Sequence, residues 1–491
     1  MRFFEQQPIV WHLISELGFE SDDVVPFPVD GQNLRLLLRG ANTPLETPTP
    51  GARYLLSPAQ QRKTAWELVV TVAHEVLATP ENKAVLRQHL GGRQPQDRQD
   101  WDVVKPYLTW RGTRLWDVGY WNLLSDVGSP EAHAYIGDAL GYYTLASNGN
   151  AAEAVQAIML DIAQNPVYKT LSAGYQALPT ALADAVTSAG VPIVTNTRLV
   201  SFAVQDDGSS ALTLAGPDGE RAVTAARLIL ALPRRALELL APTPHFDLDG
   251  DTELKRLVQS VTPTPAFKLF CLYSERWWER LGISAGRSVS DLPIRQTYYF
   301  APDPGPSQAP ASAAGLLMAA YDDLTAVDYW QGLIPSEEDR ASERDELRAA
   351  LGGLARGAGL LAAGELPPEP PPHLHKAPDD MLRHAKQQLA LLHEIPAEEI
   401  PDPVVGAFVD WSFDPFGGGW SFWSPRVDVR DVMDRIKVPL GKDTRVNIVG
   451  DAYSGLQGWV EGALSATEAV LERHVGLEPP RWLPKGCYLG W

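Results

Sequence analysis

Near its end the chain reads Val446-Asn447-Ile448-Val449-Gly450-Asp451, and seven residues later Gly458-Trp459-Val460-Glu461. A short apolar strand runs into a Gly-acid turn, and a Gly-Trp step then opens a helix. The first N–H groups of a helix have no intrahelical partner and its dipole end is positive, so this junction suits an anionic or electron-rich ligand. Val460, Leu464, Thr467, Val470 and Leu471 form a stripe that packs the helix. Packing accounts for the stripe but not for a Gly-Trp step at the helix start.

Bulk properties narrow the class. A length of 491 residues suggests two to four domains, and 45% hydrophobic content is ample for a core. The net charge of −19 argues against nucleic acid or an anionic membrane surface as partner. Cys271 and Cys487 cannot build a disulfide framework, so nothing points to an oxidising compartment. No apolar run of ~18 residues predicts a membrane span, and no signal peptide is visible at Met1. The expected location is cytoplasmic. His373 and His375 share a Pro-rich loop without further ligands at metal spacing, so no metal site is expected.

Along the chain, Gln7 to Leu17 predicts a helix, with Pro8 in its first turn and Gly18 as its stop. Asn33 to Leu38 reads as a strand and Asn42 to Gly51 as a loop. Residues 57–164 are mostly helical in pattern, with loops rich in Trp and Tyr. A helix is expected from Leu178 to Ala189. Strands are expected over Pro192–Phe202, Ala211–Ala215 and Arg227–Leu232, the last apolar enough to be buried on both faces. Ala301–Ala314 and Glu365–His375 read as loops and Ser336–Gly364 as a helical stretch.

Three further segments carry chemistry. Pro265 to Trp278 holds one lysine, Lys268, in an apolar strand, on the same face as Ala266, Phe270 and Leu272. A snorkelling edge lysine would explain it, as would an ammonium with a buried task. Leu316 to Asp323 is an apolar run containing Tyr321, and Arg2 stands just before the first helix. A guanidinium and a phenol together suit a carboxylate. Asp410 to Pro425 combines Gly417, Gly418 and Gly419 with Trp420, Phe422 and Trp423, a close backbone approach beside an aromatic wall.

These segments together resemble the FAD-dependent amine oxidase superfamily, and most closely its L-amino-acid oxidases, over Arg2 to about Val475. The resemblance implies an α/β fold of mixed α+β character: a discontinuous Rossmann-like FAD-binding domain, a mixed-sheet substrate domain and a helical domain. The expected divisions are 1–55 and 241–440 for the substrate domain and 56–160 for the helical domain. The FAD domain would take 161–240 and 441–476, with 477–491 as a tail. It places Gly450 and Asp451 at the ribityl-pyrophosphate, Leu199 at the adenine, and Gly458, Trp459 and Val460 against the isoalloxazine ring. Trp420 and Trp459 would flank the reacting bond, Lys268 would hold a water near the flavin N5, and Arg2 with Tyr321 would hold the substrate α-carboxylate. Trp420 stands where L-amino-acid oxidases can carry a smaller aliphatic residue, which leaves side-chain specificity open.

The family's opening G-x-G-x-x-G turn does not occur in this sequence, and Leu351 to Gly359 follows a helical stretch rather than a strand. A second polypeptide or an upstream segment is the expected source of that unit. The implied reaction oxidises an L-amino acid, with dioxygen, to a 2-oxo acid, ammonia and hydrogen peroxide. A monoamine or polyamine oxidase and a non-catalytic partner subunit without FAD of its own are the alternatives. Homo-oligomerisation stays open.

Overall fold

A computed structural model describes residues 2–45, 47, 53–162, 166–300, 314–336, 343–352, 369–371 and 373–490. The loop expected over 301–314 therefore lies outside the described residues except for Ala314. The same holds for much of the loops expected over 42–51 and 365–375, and for the helical stretch over 336–364 beyond 343–352.

An eight-stranded mixed sheet is the frame. Its order is His375–Lys376, Val405–Asp410, Ala266–Tyr273, Gly315–Asp323, Gln296–Tyr299, Gly286–Ser290, Arg35–Leu38 and Ala41–Pro44. Strand alternation gives it two different faces. Phe267, Leu269, Cys271 and Tyr273 pack on one side with Leu37, Trp330 and Leu389, under the helices Thr325–Gln331 and Asp379–His393. Leu36, Leu38 and Val289 point the other way, into a helical layer spanning Ala65–Ala78 to Ala151–Ala157. The functional residues lie on this second side.

Local signals set the helix ends. Thr64 and Glu67 form a capping box at the start of Ala65–Ala78, and Thr79 caps Pro80–Leu90, which stops at the left-handed Gly91. The expected first helix forms as Pro8–Glu16. Its capping acceptor is remote. Glu461 accepts the N–H groups of Ile9 at 3.0 Å and Val10 at 2.8 Å through its two carboxylate oxygens. A carboxylate at a helix start satisfies orphan donors and matches the dipole.

A smaller unit combines the parallel pair Leu228–Leu230 and Val446–Ile448 with the antiparallel strands Arg198–Val204, Ser210–Gly216 and Gly219–Ala225. Two sequence expectations change here. The strand expected from Pro192 begins only at Arg198, and Ile193 and Val194 stay more than half exposed. The strand expected to be buried on both faces leaves Ile229 37% exposed, because it has one ladder neighbour among the described residues. Residues 477–490 fold back on the body, where Trp482 packs against the core cluster that holds Phe3 and Val10. No helix among the described residues is long and apolar enough to cross a membrane.

Candidate active site

Lys268 and Tyr321 face each other across neighbouring antiparallel strands. Phe270 pairs with Met318 and Lys268 with Tyr321, so two steps on one strand match three on the other. The extra residue is a bulge at Ala319–Ala320, and it returns Tyr321 to the face that carries Met318 and Lys268. Without it an odd spacing would turn Tyr321 to the opposite side. The Lys268 ammonium sits 4.4 Å from the centre of the Tyr321 ring and 5.2 Å from that of Trp411, a cation held by ring faces. Burial pushes its pKa down to about 8, with the Arg2 charge acting in the same direction and Tyr298 against it.

Arg2 lies directly before the strand Phe3–Phe4, which is zipped onto Tyr168–Leu171. This anchors what would otherwise be a loose chain start. Its guanidinium covers the Tyr168 ring at 4.3 Å and the Phe27 ring at 5.3 Å, and donates to the Tyr298 hydroxyl at 3.2 Å. Tyr168 stacks on Trp459, with 6.2 Å between ring centres and 4° between planes, and Phe4 meets Trp459 edge-on at 4.9 Å. Tyr321 lies one ring further on, 6.3 Å from Tyr298, and Tyr142 touches both Tyr321 and Trp420. Lys268, Tyr142 and Tyr321 are deep enough for desolvation to set the direction of their shifts, and Arg2 is raised against its own burial by the surrounding phenols; each of the four keeps accessible surface. Groups with both properties line an interior space.

Trp420 joins this cluster to a cavity of about 340 Å³. The cavity opens beyond the carboxyl ends of the parallel pair, lined by Ala231–Arg234 after one strand and Val449–Ala452 after the other, with Trp411 and Thr467 completing the wall. Ligands of open α/β sheets bind in this position. Trp420 heads the strand Trp420–Trp423, which pairs with Val261–Thr264. Gly418 permits that pairing, since a Cβ there would lie 2.8 Å from the Thr264 carbonyl oxygen. Asp451 accepts the Gly458 N–H at 3.0 Å, which fixes the loop before the helix Val460–Val470. Gly458 adopts φ +79°, and a Cβ there would come 3.5 Å from that of Trp420.

Among the sequence-derived candidates, Trp420, Gly450 and Asp451 border the cavity, while Lys268, Tyr321, Arg2 and Trp459 belong to the adjoining aromatic cluster. Leu199 packs in the core with Phe202 and Leu230, and Val460 against Phe3 and Val10. Glu461 does not lend its carboxylate to a ligand at the helix start, because it caps Pro8–Glu16 instead. Sequence reasoning passed over Tyr298, Tyr142 and Tyr168 as site residues. Alternation offered a signal for one of them, since Tyr298 stands two residues after Gln296 on a single strand face. Tyr142 lies in an irregular segment, where no periodicity points inward.

Comparison with known proteins gives this geometry a family. The family described as flavin containing amine oxidoreductase matches residues 1–470. The chain belongs to it. Aplysianin-A of Aplysia kurodai is 25% identical over 381 residues, covering 74% of this chain and 62% of that protein. An L-amino-acid oxidase of Pseudechis australis is 20% identical and covers 45% of this chain and 33% of its own. The chain thus spans under two thirds of the length of these curated relatives. Putrescine oxidase bound to putrescine shares the fold at TM-score 0.57 and 15% identity, covering 97% of this chain and 87% of that one. Cyclohexylamine oxidase from Brevibacterium oxydans does so at TM-score 0.55 and 14% identity, covering 94% and 84%. In this flavin amine oxidoreductase the cavity's position and mainly apolar lining fit FAD, and Gly450, Asp451, Trp411 and Trp420 are the residues that would hold it.

Proposed function

We propose that this flavin amine oxidoreductase oxidises an L-amino acid, with dioxygen and water, to a 2-oxo acid, ammonia and hydrogen peroxide. The observation that carries the reading is Arg2: an inward-facing guanidinium held by Tyr298 and two ring faces, with no carboxylate partner among the described residues. A cation fixed in an aromatic cavity without a counter-ion is a seat for an anionic group. A simple amine brings none.

FAD, held beside Gly450, Asp451 and Trp420, would supply the hydride-accepting chemistry for oxidation at the substrate Cα. The chain's residues do the rest. Arg2 binds the α-carboxylate, and Tyr298, itself hydrogen-bonded to Gln296 at 3.2 Å, keeps the guanidinium in place. Tyr321 supplies a further phenol near the same position. Trp420 and Trp459 confine the substrate between aromatic walls and exclude water. Lys268, near 8, holds a proton at Nζ that it can take up or release around neutral pH. The start of Val460–Val470 points its dipole toward negative charge.

The rival substrate is an amine, the substrate class of the structurally similar putrescine and cyclohexylamine oxidases. Arg2 and Lys268 would repel an amine's positive charge without returning a salt bridge. The deciding experiment compares peroxide release by the FAD-loaded enzyme from L-amino acids and from their decarboxylated amines. Preference for the amines overturns the proposal.

A further inference from the structure

We propose that Arg287 seats a second carboxylate, so that the substrates of this site are dicarboxylic L-amino acids of the aspartate and glutamate class. This inference rests on the amino-acid reading above and deepens it.

Arg287 and Tyr298 are ladder partners on Gly286–Ser290 and Gln296–Tyr299, so their side chains share a sheet face. That is the face of Arg2 and Tyr321. The two arginines converge on one hub. Arg2 donates to the Tyr298 hydroxyl at 3.2 Å; Tyr298 in turn donates to Gln296 Oε1 at 3.2 Å, and Arg287 donates to the same oxygen at 2.9 Å. The Gln296 amide is used up on the carbonyls of Gly141 and Tyr321. Gln296 thus fixes the second guanidinium without neutralising it. Arg287 keeps part of its surface accessible, and its Nε is buried with no hydrogen-bond partner.

The charge count points the same way. Arg2, Arg287 and Lys268 stand in this cluster, and no acidic side chain among the described residues pairs with any of them. The carboxylates that reach the cluster's phenols are engaged elsewhere. Asp161 pairs with Arg98 at 3.3 Å, and Asp323 accepts from the Tyr143 and Thr144 backbones at 2.8 Å. Tyr298 is drawn toward ionisation by Arg2 and Arg287 against its burial, but one phenol between two guanidinium groups cannot compensate both. Two guanidinium groups left unpaired in a desolvated site are costly. A ligand with two carboxylates satisfies both: Arg2 takes the one beside the reacting carbon, and Arg287 the one on the side chain. Arginine is suited to each through its planar pair of donors.

The test is peroxide release by the FAD-loaded enzyme from L-glutamate and L-aspartate against L-glutamine, L-asparagine and L-leucine. The acids should exceed their amides by about tenfold or more in kcat/KM, the loss expected when a charge-assisted pair becomes a neutral contact. Arg287→Gln should bring the acid-to-amide ratio close to one, and Arg287→Lys should restore part of it. Inhibition of the wild type by glutarate, but not by its monoamide, reads the same preference without a variant. Equal turnover of acids and amides by the wild type overturns this inference alone. Turnover of amines but of no amino acid overturns the amino-acid reading as well.

Discussion

The Lys268 ammonium lies over the face of Tyr321, its direct partner on the neighbouring antiparallel strand, 4.4 Å from the ring centre. A bulge in the tyrosine's strand makes this pairing, and the two side chains then form the floor on which the rest of the site stands. The lysine is held by rings rather than by a carboxylate, and burial brings its pKa down to about 8.

On the proposed function Lys268 serves the chemical step rather than substrate binding. Lys268→Met should slow both half-reactions of the enzyme by about tenfold or more, the effect expected from losing a positioned proton carrier, while the substrate dissociation constant changes little. The pH profile of the wild type should show an apparent pKa near 8 that the variant lacks. Stopped-flow traces at several pH values measure both. Weakened binding with normal rates would remove the lysine from this role.

On the proposed function Arg2 and the substrate carboxylate act as one pair, so their losses should not add. Arg2→Ala, or replacement of the amino acid by its amine, should each cost at least about tenfold in kcat/KM, since ~1.4 kcal/mol corresponds to that factor. Combining the two should cost little more than either alone. Amino-acid turnover unchanged in Arg2→Ala would show that the guanidinium does not touch substrate.

FAD retention is a separate expectation. The 491 residues contain no G-x-G-x-x-G turn, and the parallel sheet has two strands among the described residues. A polypeptide of this sequence alone should therefore hold FAD weakly, and an added segment carrying the turn should tighten it. Visible absorbance after gel filtration reads the stoichiometry. A full yellow complement on the isolated chain would contradict the expectation.

Glu461 links the candidate active site to stability. Burial raises its carboxyl to about 7, with the Ile9 and Val10 N–H groups opposing the shift. Between its ordinary value near 4.5 and about 7 the folded chain binds more protons than the unfolded one. Stability from this group is full below about pH 4.5 and falls as pH rises to about 7, by on the order of 1–3 kcal/mol at ~1.4 kcal/mol per unit. Asp102, raised to about 6, contributes in the same direction. Urea unfolding from pH 4.5 to 7.5 should show this decline, and Glu461→Gln should flatten part of it. An identical slope in the variant would deny the carboxyl this role.

Much of the secondary structure is readable in the sequence, because its causes are local. Pro8 and the stripe Ile9, Val10, Leu13 and Ile14 specify a helix, and alternation around Lys268 specifies a strand with one polar position. The Gly-Trp step at Gly458 and Trp459 marks the helix that starts beside the cavity. Where the pattern misled, at Pro192–Thr197 and at Ile229, apolar residues suited to a buried strand have no neighbour among the described residues that buries them.

The site's composition was readable in Lys268, Tyr321, Arg2, Trp420 and Trp459, each an unusual residue in its local pattern. Its connections were not. Arg2 meets Tyr298 across 296 positions, and Glu461 caps a helix more than 450 positions earlier. No periodicity in either segment encodes such a contact. The face of Tyr321 depends on a bulge, and Arg287 enters the site only through its register opposite Tyr298. The sequence by itself determined which segments become strands and helices and which side chains bring charge or aromatic surface. The tertiary structure alone decided which of them meet, because strand register and helix docking are set by burial across the whole sheet rather than by any single stretch of chain.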